Sequence, residues 1–433
     1  MVHRTKRSLA GIVGLVRYQR CAMTVRRQLA AATAQSGDLA QRATLAWSNG
    51  DTAAAERDWR ALAAAQPLVA DWPIKLAFAA EVQGDNLAAE RIVEEAWGRG
   101  ARSPDMAERI AFFHRTNRLS NTTIDDAIAI VRDPDASPAA AGRAAGYLLS
   151  EGRLEPAREG LARIAGIQRY AGMLRSLAVA LDILQEAQAQ GRTIISGSLS
   201  PARDAIEVRE PGADTTVIVF TTLRGDCGVP VSALHALLQP AKVNAIYLFD
   251  ERKQFNLDGS TTFGRPYGAM IEGLRAKLDA WGTRTLIVLS FSAGAFTAMR
   301  AGLDLKAQGA LLFSPIVTLH RWPEHPFELA FGRPDDDSRM MAMETYLRRT
   351  VPQMMTHLPD ELRDRDCLKT IEMHYGYYLP DLAHINEVWT VPGIDFRQLE
   401  GFPGHECLSE ILRRGDKEVL TRFIARVRAA SSA

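Results

Sequence analysis

The strongest constraint on the fold is a short apolar run that ends abruptly in small residues. Thr285–Leu289 has the composition of a buried strand, and the small-residue segment Ser290-Phe-Ser292-Ala-Gly294 follows it directly. The next residues, Ala295 to Gly302, have the composition of a helix. A strand that turns at once into a helix brings the two backbones close together, which small side chains allow. This segment therefore predicts a sharp strand-to-helix turn with a serine at its tip.

Strand and helix signals alternate on both sides of this turn. Strands are predicted at Asp204–Glu210, Thr215–Thr221, Asn244–Phe249, Thr285–Leu289, Ala310–Phe313, Thr370–Tyr375 and Ile394–Leu399. Helices are predicted at Val229–Leu238, Tyr267–Trp281, Ser292–Gly302, Leu382–Val388 and within Leu408–Ala430. Repeated β-α-β units favour a mainly parallel sheet covered by helices on both faces. Ligands bind such sheets at the carboxyl ends of the strands.

The N-terminal half contains an internal repeat. The segment Asn49-Gly-Asp-Thr-Ala-Ala-Ala-Glu-Arg57 recurs as Gln83-Gly-Asp-Asn-Leu-Ala-Ala-Glu-Arg91, an offset of 34 residues. Glu151-Gly152-Arg153 lies in phase two periods after the second copy, whereas Asn117-Arg118-Leu119 is in phase without the glycine. A glycine between two helices permits a positive φ, and the alanine after it permits close helix packing. The period resembles that of the tetratricopeptide repeat, which implies stacked helical hairpins that bind a partner protein.

These patterns divide the chain into three regions. Residues 1–37 form a basic leader, residues 38–190 an all-α repeat array, and residues 191–433 the α/β region, entered through Ser196–Pro201. The apolar run Leu9 to Val16 in the leader is too short to span a bilayer. Two interpretations of the leader remain open, a solvated segment or a basic amphipathic helix that contacts a membrane surface.

Composition excludes several classes of function. A net charge of +1 at pH 7 does not indicate nucleic-acid binding. The four cysteines are far apart, which argues against a disulfide framework or a zinc site and favours a reducing compartment, here the cytoplasm. They are Cys21, Cys227, Cys367 and Cys407. We find no glycine-rich phosphate loop, metal-ligand cluster or dinucleotide fingerprint, and therefore predict no cofactor.

Two further residues complete a pattern with the turn serine. Asp381 follows the predicted strand Thr370–Tyr375, and Gly404-His405 follows the predicted last strand. The order serine, acid, histidine, together with the strand-to-helix turn, resembles the α/β-hydrolase superfamily over about residues 192–430. The usual turn is Gly-x-Ser-x-Gly, and Ser290 replaces its first glycine here. The rival acids precede the strand and are expected to be solvated. They are Asp360, Asp364 and Asp366.

The resemblance implies a role for each candidate residue. Ser292 would be the nucleophile, His405 the base that takes its proton, and Asp381 the carboxylate that orients the imidazole. Main-chain N–H groups would bind the developing oxyanion, from Ala293 and from Thr222 and Leu223 in the loop after the second strand. Predicted substrate contacts are Arg224, Ser290, Phe291 and Ser314. Each of these residues also has a purely structural interpretation, as a turn serine, a loop histidine or a solvated carboxylate.

A narrower resemblance concerns the substrate. Tyr247-Leu-Phe-Asp250 with Gly259, and Leu312-Phe-Ser-Pro315, resemble hydrolase-like domains that bacteria attach to tetratricopeptide arrays, some of them associated with surface polysaccharide formation. This implies an ester or thioester substrate, such as an acylated saccharide. Two alternatives remain open, an acyltransferase using the same three residues and a non-catalytic scaffold that binds a partner.

The long excursion between Phe313 and Thr370 also allows two interpretations. It either forms a cap over the site or packs as helices on the sheet. Its candidate apolar lining is Trp322, Phe327, Phe331, Tyr346 and Met354.

Overall fold

A computed structural model describes residues 39–49, 51–116, 123–197, 203–223, 225–318, 351–352 and 356–431. The predicted leader, Asn117-Arg118-Leu119, Arg224 and the five candidate cap residues therefore lie outside the described residues. The chain divides into two compact units. The first comprises residues 1–114 and 320–352, and the second comprises residues 115–319 and 353–433. Among the described residues, no helix has the length and apolar character needed to cross a membrane.

The described part of the first unit is built from consecutive helices. These are α1 (Leu39–Ser48), α2 (Thr52–Ala65), α3 (Asp71–Val82), α4 (Asn86–Arg99) and α5 (Pro104–Thr116). The repeated aspartate caps the second helix of each pair, because the side chains of Asp51 and Asp85 accept the N–H groups of Ala54 and Ala88. Gly84 has a φ of +80°, as expected for the glycine between paired helices. The two copies of the repeated sequence therefore build the same capped helix start.

Four further helices belong to the second unit. They are α6 (Ile124–Arg132), α7 (Pro138–Ser150), α8 (Leu154–Ile164) and α9 (Ala171–Ala189), with a 3₁₀ turn at Gln168–Tyr170. Their buried residues share one hydrophobic core with the sheet. Polar contacts join the two as well, since Ser232 Oγ donates to the Leu149 carbonyl at 3.0 Å. The last helices of the helical region therefore pack as part of the α/β unit.

The sheet of the second unit has seven strands in the order β1-β3-β2-β4-β5-β6-β7. The strands are β1 (Ala205–Val208), β2 (Thr215–Phe220), β3 (Asn244–Leu248), β4 (Thr285–Phe291), β5 (Gly309–Phe313), β6 (Thr370–Tyr375) and β7 (Ile394–Gln398). Of the described strands, β1 pairs antiparallel with β3, and the other five pairs are parallel. Every residue of β2, β3, β4 and β5 is buried, as expected for parallel strands covered on both faces.

Among the described residues, seven helices connect or follow these strands. They are α10 (Val231–Leu238), α11 (Tyr267–Trp281), α12 (Gly294–Asp304), α13 (Leu358–Arg363), α14 (Leu379–Val388), α15 (Cys407–Arg413) and α16 (Val419–Ser431). The predicted fold class is confirmed, an all-α region followed by a mainly parallel α/β sheet.

Two boundaries differ from the sequence prediction near the site. Strand β4 runs two residues further than predicted and ends at Phe291, so it leads straight to Ser292. Helix α14 begins at Leu379 rather than Leu382, which places Asp381 in its first turn and not in a loop. Proline is compatible with the first helical turn, where N–H groups lack intrahelical acceptors, so Pro380 does not delay the helix.

Candidate active site

The turn at Ser292 is strained and is held by the neighbouring strand. Ser292 has a φ of +50°, which is uncommon for a residue other than glycine. Its N–H donates to the carbonyl of Phe313 at the end of β5 at 3.0 Å, and its carbonyl accepts the N–H of Ile316 at 3.1 Å. These two hydrogen bonds compensate the backbone conformation and fix the serine at the carboxyl edge of the sheet.

Close contact with β2 explains the small residues of the turn. A Cβ atom on Gly294 would lie 2.7 Å from the Thr221 carbonyl oxygen and 2.8 Å from that of Phe220. Ser290, in place of the usual glycine, is completely buried, and its Oγ donates to the Phe220 carbonyl at 3.4 Å. The fold therefore requires a glycine at 294, whereas at 290 the hydroxyl has an acceptor and is tolerated.

The three residues predicted to form the reactive group lie together. His405 Nε2 lies 2.7 Å from Ser292 Oγ, and His405 Nδ1 lies 2.7 Å from Asp381 Oδ1. An ionised carboxylate only accepts hydrogen bonds, so Nδ1 carries the proton and Nε2 accepts from the serine hydroxyl. The Asp381 side chain is 2% exposed, whereas that of His405 is 32% exposed. The Asp381 carboxylate is thus shielded from solvent, whereas part of the His405 imidazole is accessible to it.

Asp381 lies where a buried negative charge is favoured. It occupies the first turn of α14, and the positive end of a helix dipole stabilises an anion there. Its Oδ2 atom is buried without a hydrogen-bond partner among the described residues. The carboxylate is therefore directed at His405 by a single oxygen, with helix α14 as its support.

The histidine loop is held by two neighbouring segments. Ser314, with a φ of +47°, donates its hydroxyl to the main-chain carbonyl of His405. The Tyr378 ring lies 5.6 Å from the imidazole, centroid to centroid. A Cβ atom on Gly376 would lie 2.7 Å from the Gly404 carbonyl oxygen, so the segment before α14 and the loop that carries His405 are in direct contact. Nothing in the sequence pattern marks Tyr378 or the structural role of Ser314.

The predicted oxyanion donors are only partly available. The N–H of Thr222 donates to the Asp226 carbonyl at 2.8 Å, so it is not free to bind an oxyanion. In contrast, the N–H groups of Ala293 and Leu223 have no acceptor among the described residues. Ala293 precedes the first residue of α12, where N–H groups lack intrahelical acceptors. The candidate donor pair is therefore narrowed to Ala293 and Leu223.

Three predicted substrate contacts are buried side chains. Ser290 bonds to Phe220, and the Phe291 ring stacks on Phe313 with centroids 5.2 Å apart. Ser314 is 2% exposed and holds the histidine loop. All three side chains lie in the protein interior, and their contact with a substrate stays a prediction. The fourth predicted contact, Arg224, lies outside the described residues.

The described residues contain no group of three or more His, Cys, Asp and Glu side chains arranged to hold a metal ion. Burial raises the pKa of the Cys407 thiol, two residues beyond His405, to about 12, so the thiol stays protonated near neutral pH. The Cys407 thiol is therefore not a nucleophile near neutral pH, unlike the Ser292 hydroxyl, which lies next to an imidazole.

Comparison with known proteins supplies distant structural similarities only. No family model matches the chain, and no curated protein matches it. A carboxylesterase structure from Nitrososphaera gargenis is 13% identical, covering 54% of this chain and 99% of its own, with a TM-score of 0.35. A lipase-esterase related protein from Clostridium acetobutylicum is 13% identical, covering 51% of this chain and 99% of its own, with a TM-score of 0.33.

A further similar structure is the Glycosylation Associate Protein (Gap123) complex from Streptococcus agalactiae, 14% identical over 53% of this chain and 44% of the other, with a TM-score of 0.34. The strand order, the turn at Ser292 and the chain order of serine, acid and histidine define the α/β part as an α/β-hydrolase fold.

Proposed function

We propose that the protein is a serine hydrolase that cleaves an ester or thioester, with Ser292 as nucleophile, His405 as general base and Asp381 as the orienting carboxylate. The observation that carries this proposal is the pair of 2.7 Å contacts that His405 makes with Ser292 and Asp381. A neutral imidazole at that distance takes the serine proton as the hydroxyl attacks a carbonyl carbon.

The proposed reaction proceeds through an acyl-enzyme. Attack of Ser292 Oγ transfers its proton to His405 Nε2, and the N–H groups of Ala293 and Leu223 stabilise the resulting oxyanion. Collapse of the tetrahedral intermediate breaks the bond to the alcohol or thiol, which leaves with the proton from His405. Water then repeats the sequence on the acyl-serine, with His405 again as base. An acylated saccharide remains the proposed substrate class.

A fluorophosphonate tests the nucleophile directly. We expect the full chain to become covalently labelled at Ser292, and hydrolysis of short 4-nitrophenyl esters to fall by roughly a thousandfold or more in Ser292→Ala and His405→Ala. Ser232→Ala is the matched control because it also removes a buried serine hydroxyl, the one that donates to the Leu149 carbonyl, and leaves Ser292, His405 and Asp381 with their contacts. Absence of labelling of the wild-type chain, or equal labelling of Ser292→Ala, would contradict the proposal.

Two alternatives predict different results in the same assays. A non-catalytic scaffold gives no labelling and no ester turnover in the wild type. An acyltransferase is labelled but transfers the acyl group to an added alcohol in preference to water, which product analysis with alcohol acceptors detects.

For the helical region we propose tetratricopeptide-like packing and a protein partner. The support is the 34-residue spacing of capped helices and the exposure of large apolar side chains, Leu68 at 66% and Leu87 at 55%. In crosslinking experiments in cells, we expect a discrete crosslinked species that Leu87→Asp loses while labelling of Ser292 is unchanged. An unaltered crosslinking pattern would contradict this assignment.

We also propose a cytoplasmic location, and a membrane contact through residues 1–37. Among the described residues the structure contains no disulfide bond, which fits a reducing compartment. The basic residues of the leader would favour anionic lipid. Cell fractionation tests the location, and sedimentation with anionic vesicles tests the contact. The contact proposal fails if removal of residues 1–37 leaves vesicle binding unchanged.

A further inference from the structure

A buried cation lies behind the loop that carries the proposed oxyanion donor Leu223. Lys253 follows strand β3 and is only 5% exposed. Its Nζ atom donates to the main-chain carbonyl of Leu223 at 3.0 Å. Removing an ammonium group from water is unfavourable unless hydrogen bonds replace its hydration. Burial of the Lys253 ammonium group therefore costs free energy, and the hydrogen bond to the Leu223 carbonyl offsets part of that cost.

The backbone around Lys253 is shaped to direct that side chain inward. Lys253 has a φ of +53°, and the nearby Phe255 and Asn256 have φ values of +59° and +55°. The buried Asp250 carboxylate holds the turn by accepting the N–H of Phe255 at 2.5 Å, and the Asp250 carbonyl accepts the N–H of Lys253 at 3.0 Å. Strained conformations of this kind persist where the surrounding structure fixes them, and they cluster at functional sites.

The same loop is attached to the helix that follows the nucleophile. Thr297, in the second turn of α12, donates its hydroxyl to the Phe255 carbonyl. The loop therefore contacts both sides of the proposed oxyanion site, Leu223 through Lys253 and α12 through Thr297. A displacement of the Lys253 loop would disturb the two proposed N–H donors relative to each other.

Leu223 is held from two directions. On one side, Thr222 bonds to Asp226 through both its N–H and its hydroxyl, each at 2.8 Å. On the other, the ammonium of Lys253 binds the Leu223 carbonyl. Hydrogen bonds to a charged donor are stronger than those between neutral groups. The positive charge of Lys253 also favours the negative charge that develops on the substrate oxygen, to the extent that the nearby Asp250 carboxyl does not offset it.

We propose that Lys253 is a positioning residue of the oxyanion site, which orients the Leu223 peptide through its carbonyl and adds a favourable positive field. This inference rests on the proposed function, because it concerns the transition state of that reaction. Lys253 acts through Leu223 and does not itself contact substrate. Its loss should therefore lower kcat and leave KM nearly unchanged, since the interaction matters only when the oxyanion forms.

The test compares Lys253→Met, Lys253→Gln and Lys253→Arg in the full chain, with 4-nitrophenyl acetate as substrate. Methionine removes donor and charge, glutamine keeps a donor without the charge, and arginine keeps both. We expect Lys253→Met to lower kcat about 10- to 100-fold with KM within about 3-fold of wild type. Lys253→Gln should be intermediate, and Lys253→Arg should retain most of the activity.

Lys306→Met is the matched control. Lys306 also has a positive φ, +55°, but its side chain is exposed and pairs with Asp366 on the surface. It should therefore leave kcat unchanged, and it reports any cost of replacing a left-handed lysine. Thermal unfolding of each variant separates loss of fold from loss of rate. If Lys253→Met is destabilised, the difference in kcat between Lys253→Gln and Lys253→Arg tests the proposal instead.

The outcomes separate this inference from the proposed function. An active, labelled wild type with all three Lys253 variants within 2-fold in kcat would overturn the role of Lys253 alone. Equal activity of the glutamine and arginine variants would overturn the contribution of charge. A wild type without labelling or turnover overturns the proposed function and this inference together.

Discussion

Two pairs of a carboxylate and a histidine lie in the α/β unit. Asp381 Oδ1 is 2.7 Å from His405 Nδ1, and Glu372 Oε1 is 2.6 Å from His374 Nε2. In each pair the carboxylate side chain is less than a tenth exposed. By type and distance alone the two pairs are equivalent.

The two pairs differ in the groups that surround the histidine. The other nitrogen of His405 faces Ser292, and the imidazole is 32% exposed. The His374 ring instead stacks on Phe313, with centroids 5.0 Å apart, and Glu372 also pairs with Arg426. A carboxylate–histidine pair is thus suited to catalysis when the second imidazole nitrogen contacts a nucleophile at a solvent-accessible position. Where it does not, as at His374, the pair contributes to packing and charge balance.

The largest expected effect separates the two pairs by activity. We expect Asp381→Asn to lower kcat on 4-nitrophenyl acetate by about 10³- to 10⁴-fold, because an amide does not hold the imidazole in the required tautomer. The matched change Glu372→Gln should leave kcat within about 3-fold, since His374 does not reach Ser292. Similar losses in both variants would remove the distinction between the pairs.

The second-largest expected effect concerns the turn at Ser292, which places a serine beside His405 but not beside His374. Gly294→Ala should destabilise the protein by about 3 kcal/mol, measured by urea unfolding, because its Cβ would overlap the Phe220 and Thr221 carbonyls. Gly268→Ala is the control, because Gly268 also lies in the first turn of a helix, α11, but has open space around it. It should change the free energy of unfolding by no more than about 1 kcal/mol, in the stabilising direction, because alanine favours helix more than glycine does. An equal change in both variants would show that the turn at Ser292 relaxes around the added methyl group.

The pH dependence of stability should distinguish the Glu372 pair. Burial raises the pKa of Glu372, but hydrogen bonds from His374 and Arg426 outweigh it and hold the pKa at about 2. A carboxyl with a folded-state pKa below its unfolded value of 4.5 stabilises the protein fully above that value, and this stabilisation is lost as pH falls towards 2.

Glu372→Gln should therefore lower the free energy of unfolding by about 1–3 kcal/mol at pH 7, and the difference from wild type should shrink between pH 4.5 and pH 2. Urea unfolding at several pH values measures it. A difference that stays constant with pH would indicate that the glutamate acts through packing rather than charge.

The smallest expected effect concerns the serine that replaces a glycine before the nucleophile. Ser290→Gly restores the usual turn but removes only a long, buried hydrogen bond to Phe220. We expect kcat and the labelling rate of Ser292 to stay within about 3-fold of wild type. A large gain in labelling would mean that Ser290 suppresses the nucleophile, and would favour the non-catalytic alternative.

Much of the fold followed from local patterns. The apolar runs predicted the seven described strands, and the repeated Gly-Asp predicted helices that begin at Thr52 and Asn86. Both predictions succeeded because helix caps and buried strands depend on a few neighbouring residues. Helix α14 was predicted three residues short. Its first turn contains Pro380, and the sequence alone did not show that the helix already begins at Leu379.

The sequence by itself determined the positions of the strands along the chain, the turn at Ser292 and the identity of the serine, acid and histidine candidates. Only the tertiary structure decided which N–H groups are available, because the Thr222 N–H is occupied by a residue four positions away in its own loop. It also decided that Ser314 holds the histidine loop and that Lys253 reaches Leu223, 30 residues away in the chain. Such contacts depend on how distant loops meet at one sheet edge, which no local sequence pattern encodes.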